Sequence, residues 1–210
     1  MKMSNDFIIH YDDILLTAMQ VLQFSTISKL PIDVFKIIEP IPNLKKCSYS
    51  RFAHRNRISI QETCLLLCSD YGTYVSRPKT NQHIIFYNDT TGNEGLLRFT
   101  FAHELAHFYL SHSEKLKKFP MANQAIESEA NFFARNLLAP MPLVNRILTD
   151  YALCSQNINR IMQCFHLSYN AAKVRLNTCE NEQALTQSLK DVTGFFDRFS
   201  IYQPEDSICY

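Results

Sequence analysis

Apolar side chains recur at helical spacing between residues 11 and 24, at Ile14, Leu15, Ala18, Val21 and Leu22. That spacing predicts an amphipathic helix. Pro31 suits a first helical position, so a second short helix is expected from Pro31 to Glu39, stopping before Pro40. Residues 41–56 mix Pro42 with polar and basic side chains and read as a loop. Residues 57–68 (RISIQETCLLLC), 72–76 (GTYVS) and 83–87 (HIIFY) read as strands, with a turn at Tyr71-Gly72. The turn formers in 88–95 (NDTTGNEG) end the last strand.

The pattern changes at Leu96. LLRFTFAHELAHFYLSH reads as one helix from Thr100, followed by a polar loop, SEKLKKFP. A second helix is expected over 123–138, stopped by Ala139-Pro140. Further helices are expected over 142–150, 156–165, 168–177 and 181–199. The fold class is therefore α+β: a helical lead, a small sheet, two central helices and a helical tail.

Composition narrows the picture. The chain has 210 residues, enough for one domain with a core of its own. Hydrophobic residues make up 46%, which excludes a disordered chain. The formal charge of +1 gives no basic excess for a dedicated nucleic-acid binder. Asp6, Asp12 and Asp13 interrupt the apolar start, so no signal peptide is expected. No apolar run approaches the ~20 residues of a membrane span. Seven cysteines without a CxxC point to free thiols in a reducing, cytoplasmic setting. Cys64 and Cys68, four apart in a strand, would sit about 13 Å apart, too far for a disulfide.

The chemistry gathers in residues 98–140. His103-Glu104-Leu105-Ala106-His107 is an HExxH. On a helix its histidines lie one turn apart on one face and can share a metal ion. Glu104 stands beside them, able to take a proton from water that the metal acidifies. Zinc suits nitrogen donors and a tetrahedral site with one open position. The bland alternative is two histidines on a half-buried helix face. A third ligand is expected from the helix at 123–138. There Glu127 and Asn131 share a face beside the apolar stripe Ile126, Ala130, Phe133, Ala134 and Leu137. A carboxylate beside such a stripe is costly unless a charge meets it. Asn131 could orient a ligand histidine. Glu129, two residues on, must point elsewhere if Glu127 points in.

RFTFAHELAH (98–107) followed by ESEANFFARNLLAP (127–140) closely resembles the ImmA/IrrE family of zinc metallopeptidases. Weaker likenesses flank it: LPIDV at 30–34, IIFYN at 84–88 and FHLSYNAAKVRL at 165–176. Together they cover about residues 30–178. The departures are Ala106 where glycine is frequent and Ala139 where methionine is usual. The resemblance implies zinc ligands His103, His107 and Glu127, a base at Glu104, and Asn131 in support. It implies a small twisted sheet on a zincin-like pair of active-site helices. It also implies an endopeptidase of narrow specificity that cuts a helix-turn-helix transcriptional repressor encoded nearby, in the bacterial cytoplasm.

The expected organisation is a helical lead over 1–29, a metallopeptidase domain over 30–152 and a helical tail over 153–210. Tyr87, Arg98, Tyr109 and His112 are candidates for stabilising an oxyanion, although on an ideal helix His112 faces away from His103. Lys115, Lys117 and Lys118 read as a solvated loop, or as a dock for an acidic substrate segment. His10, His54, His83 and His166 lack partner spacing for a ligand. The segment around His166-Leu167-Ser168 resembles a helix-turn-helix pair. With three basic residues against one acidic between 152 and 180, packing or repressor docking is favoured over DNA binding. The rival reading is a non-catalytic metal-binding protein that sequesters a repressor or antitoxin.

Overall fold

The computed structural model describes residues 7–149, 157–178 and 194–200. The helix α1 (Tyr11–Phe24) follows the expected apolar spacing and buries Ile14, Leu15, Ala18, Met19 and Leu22. The second helix begins later than Pro31 suggested. α2 spans Val34–Ile37, because the Asp33 carboxylate caps it by accepting from the Phe35 N–H at 3.1 Å.

The stretch read as a loop contains a strand and a helix. β1 (Leu44–Ser48) leads directly into α3 (Tyr49–Asn56), whose cap is the Ser48 hydroxyl. The stretch read as a strand at 57–68 is mainly a helix, α4 (Ile60–Leu67). Its first turn is fixed by a capping box: the Ser59 hydroxyl accepts from the Glu62 N–H, and Glu62 accepts from the Ser59 N–H. Cys64 is thus helical and Cys68 caps the helix end, both as free thiols.

β2 (Gly72–Arg77) and β3 (Gln82–Tyr87) match their expected positions. The sheet order is β1-β3-β2, with β3 parallel to β1 and antiparallel to β2. Alternation gives β3 two packed faces. Phe86 meets Phe52 of α3 edge-on at 5.4 Å. On the opposite face Tyr87 meets Phe101 at 5.6 Å.

Phe101 belongs to α5 (Glu94–Tyr109), capped by Asn93, so this helix begins six residues before Thr100. Gly72 lets it approach the sheet. A Cβ there would lie 2.7 Å from Thr100 Cγ2 and 2.9 Å from the Phe86 carbonyl oxygen. The expected polar loop after α5 is mostly helical, α6 (His112–Lys118). α7 (Asn123–Leu138) has its expected bounds. α5 and α1 both pack on α7, and Leu105, Leu15, Met19, Phe133 and Leu137 join one core.

Three more helices follow: α8 (Met141–Thr149), α9 (Asn157–Phe165) and α10 (Tyr169–Asn177). They add Val144, Ile147, Ile161, Phe165 and Ala172 to the same core. Buried polar contacts fix α9 and α10 to it. Arg98 donates to the carbonyls of Phe165, His166 and Ile32 at 2.8, 3.2 and 3.0 Å. Arg175 donates to Asn136 Oδ1 at 3.0 Å. Of the helix expected over 181–199, residues 181–193 lie outside the described residues, and Gly194–Arg198 form a 3₁₀ turn. Among the described residues no helix is long and apolar enough to cross a membrane.

Candidate metal centre

The site lies where α5 crosses α7. Ala102 and Ala106 are fully buried small residues on α5. The same helix turns His103 and His107 toward Glu127 and Asn131 of α7. His103 Nε2 lies 3.0 Å from Glu127 Oε2 and 3.2 Å from His107 Nε2, and His107 Nε2 lies 3.7 Å from Glu127 Oε1. Among the described residues, these three form a group of potential ligands with donor atoms within 4.8 Å of one another.

Hydrogen bonds behind the rings decide what the cluster can hold. Asn131 Oδ1 is an acceptor 3.0 Å from His103 Nδ1. In the neutral ring it therefore places the proton on Nδ1 and leaves the Nε2 lone pair facing Glu127. Two imidazole lone pairs and a carboxylate converging on one point repel unless a cation lies between them. Zinc bonds of about 2.0–2.1 Å at tetrahedral angles would separate donors by about 3.3 Å, within the spread seen here. The donor set fits such an ion.

Burial and the neighbouring His112 and His103 hold His107 well below the usual imidazole range, so it is neutral at pH 7. For His103, burial is the largest single influence and lowers it, but the bonds to Glu127 and Asn131 and the charges of Glu104 and Glu127 together outweigh it and raise the group. The bond to His103 leads in lowering Glu127, which favours its charged form. Glu104 projects to the sheet side of α5, where it accepts from the Tyr74 backbone N–H of β2. Burial pushes its carboxyl up to about 7, a value suited to accepting and releasing a proton near neutrality.

The other candidates lie in varied places. Arg98 is buried and engaged with three backbone carbonyls. Tyr87 packs between Phe35 and Phe101. Tyr109 stacks on Phe133, and burial pushes its phenol up to about 12. His112 does reach the site, with its Nδ1 2.9 Å from His107 Nδ1. The ideal-helix reading fails there because α5 ends at Tyr109 and Ser111 adopts a left-handed conformation, φ 53°. Glu129 turns away from Glu127 as expected, and its buried carboxylate meets His112 and Lys115. Lys115 is thus an ion-pair partner on a helix rather than a free loop charge.

Two side chains beside the site were not singled out by spacing. The Tyr74 ring stacks near His107 at 6.5 Å, and its hydroxyl lies 2.6 Å from His83 Nδ1. The cross-strand register brings Tyr74 and His83 to the same face of β2 and β3.

A small mixed sheet supporting a helix-borne HExxH, with an acidic partner on a second helix, defines a metallopeptidase-type architecture. The IrrE N-terminal-like domain family matches residues 57–177. The chain belongs to this ImmA/IrrE family of metallopeptidases and is an enzyme acting on protein substrates. No curated protein matches the chain closely enough to count as a relative.

Proposed function

We propose that the protein is a zinc-dependent endopeptidase of narrow specificity whose substrate is a helix-turn-helix transcriptional repressor encoded nearby. The observation that carries the metal half of this reading is the meeting of one potential ligand atom each from His103, His107 and Glu127 within 4.8 Å of one another. The substrate half rests on the family resemblance, as does a cytoplasmic site of action. The same reading divides the chain into a lead over 1–29, a catalytic domain over 30–152 and a tail over 153–210.

His103, His107 and Glu127 would hold the ion, and Asn131 would orient His103. Bound zinc supplies Lewis acidity, polarising the scissile carbonyl and making water a better nucleophile. Glu104 takes the proton from that water on its carboxylate and passes it to the departing amide nitrogen. Its raised pKa suits both halves of the transfer. An extended substrate segment pairs with β2, an edge strand of the sheet.

The test is cleavage of the neighbouring repressor by wild type and by Glu104→Gln, with metal content measured in both. The expected result is one cut bond for wild type. The variant should be slower by about 10²- to 10⁴-fold, the usual worth of a general base, with equal zinc. Binding of the repressor without cleavage by either protein would favour sequestration instead.

A further inference from the structure

The connection behind His107 is more elaborate than the one behind His103. His103 is backed by a single amide, Asn131. His107 is backed by a chain of three side chains drawn from two helices. His112 Nδ1 lies 2.9 Å from His107 Nδ1, His112 Nε2 lies 3.0 Å from Glu129 Oε2, and Lys115 Nζ lies 2.6 Å from the same oxygen. His112 is 1% exposed and Glu129 2%. Neither can turn to solvent for an alternative partner.

The backbone is bent to make this contact. In an unbroken helix, residues 107 and 112 would lie about 140° apart around the axis. The left-handed Ser111 ends α5 and starts α6 in a new direction, bringing His112 beneath His107. Non-glycine residues in this conformation carry strain, and such strain concentrates at functional sites.

The hydrogen-bond directions then follow from one fixed end. An ionised Glu129 only accepts, and Lys115 only donates. His112 therefore donates from Nε2 to Glu129, and its other ring nitrogen, Nδ1, faces His107. With that nitrogen as acceptor, His107 donates its Nδ1 proton to it. Its Nε2 is left bare and faces His103 and Glu127.

We propose that His112, anchored by Glu129 and Lys115, is a positioning residue that fixes the tautomer and aim of His107 at the metal centre. This rests on the reading of His103, His107 and Glu127 as metal ligands. The two ligand histidines are thus oriented by different devices, an amide from α7 and a buried imidazole–carboxylate–ammonium chain from α6 and α7.

Two measurements test it, neither requiring a substrate. The first is a long-range ¹H–¹⁵N correlation spectrum of the metal-free wild type, which reads histidine tautomers directly. His107 is expected to carry its proton on Nδ1. The second is zinc affinity by competition with a chromophoric chelator. His112→Phe keeps the ring volume and removes both hydrogen bonds, so affinity should fall about 10- to 100-fold. His112→Asn should recover part of the loss, since its carbonyl can accept from His107 Nδ1 as Asn131 does from His103. Lys117→Ala removes only an exposed pair with Glu114 and should leave affinity unchanged.

A wild-type His107 protonated on Nε2 would overturn the proposal. So would a folded His112→Phe that binds zinc as tightly as wild type. If the wild type itself takes up no zinc, the metal-centre reading fails first and this one with it.

Discussion

The helix pair α5–α7 and the helix pair α3–α4 are stabilised in contrasting ways. α5 and α7 face each other through a buried core and place their polar side chains in one cluster. α4 lies at the surface, with Leu65 and Leu66 exposed by 78% and 66%. Little apolar burial fixes it as a helix; its ends do. Ser59 and Glu62 close its first turn, and Cys68 in a left-handed conformation ends it. Packing specifies the helix pair that must hold chemistry in place, while capping suffices for a helix that lies at the surface.

Substitutions can separate the two regimes. Truncating the fully buried Phe133 to alanine leaves a cavity between α7 and its neighbours and should cost about 3–5 kcal/mol. Urea unfolding measures that, and zinc affinity should fall with it because Glu127 and Asn131 share the helix. Ser59→Ala removes a cap worth about 1 kcal/mol; unfolding should register the loss while zinc binding stays unchanged. If Ser59→Ala weakened zinc binding as well, the two regions would not be independent.

A pH series sharpens the contrast further. The Ser59 N–H and hydroxyl lower the Glu62 carboxyl from its ordinary 4.5. A lowered carboxylate contributes stability above its unfolded pKa and loses it as pH falls through the folded value. The stability difference between wild type and Glu62→Gln should therefore be present above pH 4.5 and close on further acidification. A gap that persists in strong acid would mean that the box does not depend on the charge. The smallest effect is expected at Leu65. Leu65→Ser should change stability by no more than about 0.5 kcal/mol, since the side chain is already in water.

The same contrast explains what was legible in the chain. In α5 and α7, apolar spacing, the HExxH and the ExEAN stretch agree, so the helix at 123–138 and the meeting of His103, His107 and Glu127 could be expected. In 57–68 the run CLLLC imitates a buried strand. The signal for a helix was present in Ser59-Ile60-Gln61-Glu62, an S-x-x-E capping box. β1 was hidden by Lys45 and Lys46. Lys46 runs its ammonium to the Phe35 carbonyl at 2.8 Å, and the strand's partner β3 lies some forty residues further on. His112 could be named a candidate only by its type and its nearness to the motif, and helical spacing pointed it away from His103. Its role depends on the single left-handed residue Ser111, and neither helical period nor composition marks that position.

The account's central claim is that His103, His107 and Glu127 form one metal site. Titrating the metal-stripped protein with Zn²⁺ in a calorimeter tests it most directly, in wild type and in Glu127→Ala. The account predicts one tight equivalent per chain in wild type, with a large loss of affinity in the variant. A wild type that binds no zinc, or a Glu127→Ala that binds it equally well, would contradict it.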